Sequence, residues 1–489
     1  MNRATFPPPL NQIAFSVVDL RRSEAWFREG LGFLPAGGSI ALMSSPVAAR
    51  TQGLPGAASC AWWLVGRNRW FQLELFQFRR PIAKLLPADF RPCDIGYTRI
   101  GVHVTDFDAA LANLARLGSV PLAGIMGGPG QRRACLRNPD GVFVEVTEDD
   151  PLPQAPGSER AGCPAAIRSV TLSTPDLDAS VAYLTAINGH GPEEIALHAP
   201  AHEAVWGLAG ATCKRAVFRS GDILVEVVQY QDPVGKPWPP GYRICDQGIL
   251  NIAYGARTKR DHAEVVERAM AFGARPNWRP FHLGQAGVVY FNDALGFSIE
   301  VLWMAPGASD RRYGFEPLPL HKRPRADTQC VEAAVRIAAP VAKVWKVLCD
   351  HEAMSEWAGF ERVHVIRHGR TDPGGVGAER LMSGSAGAVV EQIIGVEPQR
   401  SIRYRAIEGA PFNYHRGEIQ LREQGNETEV HWQIRFRGKA PGLGTLLRAG
   451  LQPMLKRMLE RGLKPYVEGV AGRRSAVNSR REAQWPSRI

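Results

Sequence analysis

The sequence predicts an α+β protein, and three observations carry that prediction. A strand–helix–strand pattern recurs four times before residue 305, and each copy closes on a strand with a glutamate among apolar residues. Between residues 331 and 437 several runs alternate polar and apolar side chains, as half-buried antiparallel strands do. Beyond them, leucines and methionines from Leu443 to Leu463 recur at three- and four-residue spacing, the mark of a long helix with one apolar face.

Composition sets the outer bounds. The chain has 489 residues, which as a prior corresponds to about three domains. With 45% hydrophobic and 22% charged residues it is an ordinary globular composition, and wholesale disorder is excluded. No segment approaches the roughly 18 uninterrupted apolar residues of a membrane span, and Met1 to Leu10 lack the apolar core of a signal peptide. The expectation is a soluble, cytoplasmic protein. The net charge of +11 is not gathered on a stripe or helix, which argues against a nucleic-acid partner. Its one local surplus is Arg473, Arg474, Arg480, Arg481 and Arg488 against Glu482, so residues 469–489 read as a disordered basic tail. The eight cysteines are scattered without a Cys-x-x-Cys, which excludes a zinc ribbon and fits reduced thiols.

The first repeat begins with the alternating run Ile13 to Val18. Asp19 then stands where a carboxylate can accept the first free N–H groups of a helix, and Gly32 where that helix stops. The second repeat runs from Ile100 to Val104, then Asp106, ending at Gly118. The third runs from Val170 to Ser173, then Asp176. The fourth runs from Leu250 to Ala256, then Thr258, with a helix to Phe272. Their closing strands carry Glu74, Glu145, Glu226 and Glu300. An acid in a half-buried strand is expensive unless paired or hydrogen-bonded, so four at one equivalent position point to a shared role.

This order resembles the βαβββ module of the vicinal oxygen chelate family, which includes glyoxalase I, extradiol dioxygenases and bleomycin-resistance proteins. The resemblance implies two paired-module, glyoxalase-like domains at 1–150 and 163–304, each curled into a cup. In that family a divalent metal sits on the cup floor, held by a His or Gln of each first strand and the Glu of each last strand. Taking consecutive modules as partners, Gln12, Glu74, Arg99 and Glu145 are expected to line the first cup. Ser169, Glu226, Asn251 and Glu300 are expected in the second, with Ser169 and Asn251 touching substrate. Arg99 is permanently charged and cannot coordinate a cation, so it is expected to neutralise Glu74 and Glu145. Neither cup has the histidines of an iron or zinc site, so no metal cofactor is expected. His282, Tyr290 and Glu300 are spaced like the extradiol dioxygenase signature, with Ala294 where that signature has proline. With Glu226 they form the expected acid–base set of the second cup, because two acids in one low-dielectric site cannot both ionise cheaply. An Fe2+- or Zn2+-dependent dioxygenase or lyase is the alternative that the resemblance leaves open. His198 and His202, separated by Pro200, read as a surface loop.

Residues 305–329, rich in Pro and Arg, read as a linker. Val331 to Ile337 reads as a strand, Val341 to Leu348 as a helix, and four further strands follow before the long helix, which Pro453 should bend. Ile337-x-Ala339-Pro340, Trp345, Gly377-x-Glu379-Arg380, Glu391 and Trp432 resemble the START-like superfamily, in its polyketide cyclase and lipid-transport branch, over 330–468. The resemblance implies a helix-grip fold with a cavity for an apolar ligand, and Arg380, Glu391, Tyr404, Tyr414 and His415 as polar residues able to reach it. The functional expectation is an enzyme of aromatic, polyketide or steroid-like metabolism, with a hydrophobic small molecule as partner and a homodimer as its form. A non-catalytic carrier is the alternative.

Overall fold

The computed structural model describes residues 7–469 except 40–42, 82, 88, 156, 320–327, 370–371, 385–386 and 441. Nearly all of the expected basic tail, from residue 470 on, lies outside the described residues. The chain divides into two compact units, Met1–Ala326 and Asp327–Ile489.

All four repeats form in the N-terminal unit, with the expected caps. Asp19, Asp106 and Asp176 each accept from the backbone N–H three residues on, and the Thr258 hydroxyl accepts from Asp261 in the same way. These bonds satisfy N–H groups that a helix start leaves without partners. In every repeat the first strand lies parallel to its own closing strand, a geometry that requires the helical crossover between them.

The repeats do not pair in sequence order. Leu10–Ser16 of the first lies antiparallel to Gly248–Ala256 of the fourth, and Gly96–Val104 of the second to Ala165–Ser173 of the third. A nine-stranded sheet thus contains the outer two repeats and a six-stranded sheet the inner two. The connectors explain this arrangement. Segments 81–95 and 233–247 lie side by side: the Lys84 N–H donates to Asp246 Oδ1 (2.8 Å), the Gln247 N–H to the Lys84 carbonyl (2.9 Å) and the Ile95 N–H to the Lys236 carbonyl (2.9 Å). The chain leaves the first sheet, builds the whole of the second and returns. The expected domains at 1–150 and 163–304 are therefore replaced by one nested unit whose apolar core is continuous through both sheets.

The expected linker is also shorter than its composition suggests. Ala308–Arg312 forms a helical turn, Phe315 is buried, and the Leu318 N–H donates to the Pro35 carbonyl (2.8 Å). Residues 305–319 thus complete the N-terminal unit, and 320–327 lie outside the described residues.

The C-terminal unit is a seven-stranded antiparallel sheet with Gln329–Ile337 at one edge and Arg362–Arg367 at the other. That second edge strand and its neighbour Glu379–Gly384 escape the sequence reading, because exposed edge positions dilute the apolar alternation. Register and burial place Arg380, Glu391, Tyr404 and His415 on the buried face with Trp432. Gly417 is required there, since a methyl group at that position would overlap the Tyr404 ring. The C-terminal helix runs from Leu443 to Glu468. It continues through Pro453, whose lost backbone hydrogen bond lies on the exposed side, and widens instead at Met458–Leu463.

The pairing of the inner repeats can be tested at Gly101, which faces Ser169 across the two first strands. A methyl group on Gly101 would overlap the Ser169 hydroxyl but only touch its Cβ. Gly101→Ala should cost about 1–3 kcal/mol of stability in urea unfolding, and Ser169→Ala should restore much of it. Additive effects of the two substitutions would contradict this pairing.

Candidate functional site

Swapping the partners regroups the four glutamates. Glu145 and Glu226 belong to the inner sheet, where their charges are fully matched. His198 donates on both sides, with Nε2 2.9 Å from Glu145 and Nδ1 2.8 Å from Glu226. Arg99 lies 3.0 Å from Glu226 and 3.7 Å from Glu145, and its guanidinium sits 3.5 Å from the centre of the Trp206 ring. Arg133 bonds Glu145 (3.1 Å), while Arg215 (3.2 Å) and the Thr171 hydroxyl (3.0 Å) bond Glu226. Arg99 does meet Glu145 as expected, but its second acid is Glu226, not Glu74.

His198 is the residue that sequence reasoning misplaced. It is buried, carried into the cup by the 3-10 turn Pro200–Trp206, and packed edge-on against Trp206. Pro200 does exclude an α-helix here, but it starts a tight turn that aims His198 inward. Burial alone would push both acids up. His198 and the arginines outweigh it, holding Glu145 down at about 2 and Glu226 lower still. Of the two acids expected to share the second cup, one of which should gain proton affinity, Glu226 is therefore not that one. Ser169 is buried against Gly101 in the same sheet and does not line the outer-sheet cavity.

Gln12, Glu74, Asn251 and Glu300 come together in the outer sheet, and they differ from the inner set in kind. Glu74 accepts from Gln12 Nε2 (2.9 Å) and from Trp63 Nε1 (2.8 Å), and Glu300 accepts from Asn251 Nδ2 (3.3 Å). Tyr290 sits opposite Glu300 on the neighbouring strand, with its hydroxyl in hydrogen-bonding reach. Both acids lie on the floor of a cavity of about 780 Å³, its mouth included. The walls include Met43, Val47, Phe76, Phe281, Leu302 and Tyr313. Among the described residues that line it there is no Lys, Arg or His.

Burial is the main reason Glu300 rises to about 7, against hydrogen bonds from Tyr290 and Asn251 that favour its charged form. Burial, and then the charge of Glu300, push Glu74 well above the usual carboxylate range. Both acids are thus held towards their protonated forms, and they titrate as a coupled pair. His282 does not join them. Its neighbours Phe281 and Leu283 line the cavity, while His282 is exposed on the other side and accepts from Trp303 Nε1 (3.2 Å).

Gln12, Glu74, Asn251 and Glu300 stand at the first- and last-strand positions where the sequence resemblance implies a metal. Gln12 Oε1 and Asn251 Oδ1 are buried without a hydrogen-bond partner, so two carboxylates and two amide oxygens are the available donors. An all-oxygen set suits a hard cation such as Mg2+ or Mn2+ and is a poor match to Fe2+ or Zn2+.

In the C-terminal unit, Arg380 forms a buried pair with Glu391 (2.8 Å) and reaches His351 Nδ1 (3.2 Å). Trp432 Nε1 donates to the Tyr404 hydroxyl (2.7 Å), and the Arg380 guanidinium lies 5.0 Å from the Tyr404 ring. Burial, aided by Arg380, lowers His351 to about 4 and His415 to about 3, so both rings are neutral near pH 7. Four of the five expected polar residues thus share the buried face, while strand alternation directs Tyr414 the other way from His415.

Comparison with known proteins bears on these two units separately. Residues 328–468 match the family described as polyketide cyclase / dehydrase and lipid transport. The N-terminal unit is similar in fold to glyoxalase I from Zea mays, at 14% identity over 60% of this chain and 92% of that one, with a TM-score of 0.41. The C-terminal unit is similar in fold to a START superfamily protein from Mycobacterium smegmatis, at 15% identity over 29% of this chain and 99% of that one, with a TM-score of 0.27. No curated protein sequence matches the chain significantly. Among the described residues no helix is long and apolar enough to cross a membrane.

The inner cup predicts a distinct pH dependence of stability. Burial would lower His198, but Glu226 and Glu145 outweigh it and raise it above its ordinary 6.5. Its contribution is therefore complete below that value and lost as pH rises through the raised one. Glu145 contributes above its ordinary 4.5 and loses its contribution as pH falls towards about 2. The melting-temperature difference between wild type and His198→Gln should be largest between those ordinary values and shrink on the alkaline side. A difference that grows with pH above neutrality would contradict the His198 bridge.

Proposed function

We propose that the chain is an enzyme of small-molecule metabolism whose outer-sheet cavity performs acid–base chemistry on an apolar substrate. The C-terminal unit, in this reading, holds a hydrophobic compound, in keeping with the lipid-transport and cyclase family that its sequence matches. The observation that carries the proposal is the pair Glu74 and Glu300 on the floor of an apolar cavity, with amide, indole and phenol neighbours and no cationic side chain among the described lining residues.

With one proton between them, the two carboxyl groups can act in concert. The ionised member takes a proton from a carbon next to a substrate carbonyl, and the protonated member gives one to the carbonyl oxygen. The pair ends with its proton exchanged and its charge unchanged. Isomerisations, eliminations and ring closures all use such a transfer, and a general acid or base with a pKa near the working pH serves it best. Tyr290 positions Glu300. Glu226 and His282, which the sequence placed in this set, have no part in it.

A second reading has one observation in its favour, the two unpaired carbonyl oxygens of Gln12 and Asn251. Gln12, Glu74, Asn251 and Glu300 would then hold a hard divalent cation, which would polarise a substrate carbonyl as a Lewis acid. A non-catalytic carrier is a third, and turnover separates it from both.

The test begins with native mass spectrometry of the purified chain to identify a retained compound, followed by assay of its conversion. Glu300→Gln should lower kcat by about 10²- to 10⁴-fold, whereas Glu226→Gln should leave kcat unchanged and lower the melting temperature. Unchanged turnover in Glu300→Gln would remove the cavity pair from the reaction. A large melting-temperature rise with Mn2+ or Mg2+, lost in Glu300→Gln, would favour the cation-bearing version.

A further inference from the structure

The cavity floor and the side chains beneath it leave hydrogen-bond acceptors unmatched. The Gln12 and Asn251 amide N–H2 groups are engaged by Glu74 and Glu300, which leaves Gln12 Oε1 and Asn251 Oδ1 buried and unpartnered. Gln12 is 3% exposed and lines the cavity directly. A buried acceptor left in this state is costly, and the ionised member of the neighbouring carboxyl pair adds a demand for positive charge. The walls above supply the faces and edges of Trp63, Phe76, Phe281, Tyr290 and Tyr313.

A complementary ligand must bring several N–H donors, a positive charge and an apolar body in one molecule. We propose that this cavity selects primary ammonium compounds with an aliphatic or aromatic body, resting on the reading of it as the small-molecule site and adding the class of ligand. The ammonium group carries three donors and no acceptor, which suits the Glu74 and Glu300 carboxylates and the free Gln12 oxygen. Aromatic rings attract a desolvated cation through their electron-rich faces, and the apolar walls take the remainder. An alcohol of the same skeleton has a single donor and no charge. A carboxylate of similar size would place a third acid beside two and find no cation among the described lining residues, so anionic substrates are disfavoured.

The experiment is isothermal titration of the full chain with 2-phenylethylammonium, 2-phenylethanol and 3-phenylpropionate. The ammonium should bind about tenfold or more tightly than the alcohol, and the carboxylate should not bind measurably. In Glu74→Gln/Glu300→Gln the ammonium preference should vanish while the alcohol keeps its affinity, which shows that the fold and cavity are intact. Equal binding of alcohol and ammonium, or binding of the carboxylate, would overturn the proposal. So would binding of Mn2+ by the wild type with no binding of the ammonium. An ammonium preference in a protein that turns nothing over would leave this inference standing and remove the acid–base reading alone.

Discussion

A carboxylate cannot be buried without something to meet its charge, and the way each sheet answers that constraint organises the N-terminal unit. Four repeats deliver four glutamates to equivalent strand positions. In the inner sheet Glu145 and Glu226 are met by Arg99, Arg133, Arg215 and His198, all within hydrogen-bonding or ion-pair distance. In the outer sheet Glu74 and Glu300 are met, among the described residues, by neutral donors, Gln12, Trp63, Asn251 and Tyr290. The same position therefore has opposite proton affinities in the two sheets. Burial is nearly equal in both, with Glu226 0% and Glu74 3% exposed, so burial does not make the difference. The neighbours do.

Filling the inner cup is a local achievement of one short segment. The turn Pro200–Trp206 folds over that cup, lays the Trp206 ring on Arg99, and places His198 between the two acids. Among the described residues the outer cup receives no equivalent cover. Its closing elements, the helix Pro46–Thr51 and the turn around Tyr313, contribute Val47, Ala48, Thr51 and Tyr313 to the wall and bring no charge to the floor. One cup has become a packed, ion-paired core and the other has stayed a cavity, although both are built from the same module.

Much of this was legible in the sequence, and what was missed depends on contacts between distant segments. The repeat, its capping residues Asp19, Asp106, Asp176 and Thr258, and the closing glutamates follow from local patterns, because caps and strand alternation are set by residues a few positions apart. The pairing of the repeats is not local. All four first strands alternate in the same way, so nothing within them favours a neighbour in sequence over a distant copy. The choice is made by backbone bonds between the connectors, such as Gln247 to Lys84, which leave no compositional trace. The wrong grouping of the acids follows from that step: Glu226 and Ser169 were grouped with Glu300, and Gln12 and Glu74 with Arg99. His198 failed for a related reason, since a proline between two histidines excludes an α-helix but does not separate an exposed loop from a 3-10 turn that buries one ring. In the C-terminal unit the strand faces could not be assigned beforehand, because Tyr414 and His415 are adjacent and only register decides which of them turns inward.

The contrast between the cups also separates structural acids from those with another role. Removing one partner from a buried, hydrogen-bonded ion pair costs about 3–5 kcal/mol, so Glu145 and Glu226 hold the inner sheet together. No such argument applies to Glu74 and Glu300. Two carboxyl groups facing each other in an apolar cavity are a burden on the folded state, and a glutamine at either place would keep the shape without the repulsion. Groups that cost stability and hold unusual protonation states gather where a protein acts on something else. The outer cup has both properties and the inner cup has neither, an energetic argument, independent of any motif, that supports the proposed chemistry at Glu74 and Glu300.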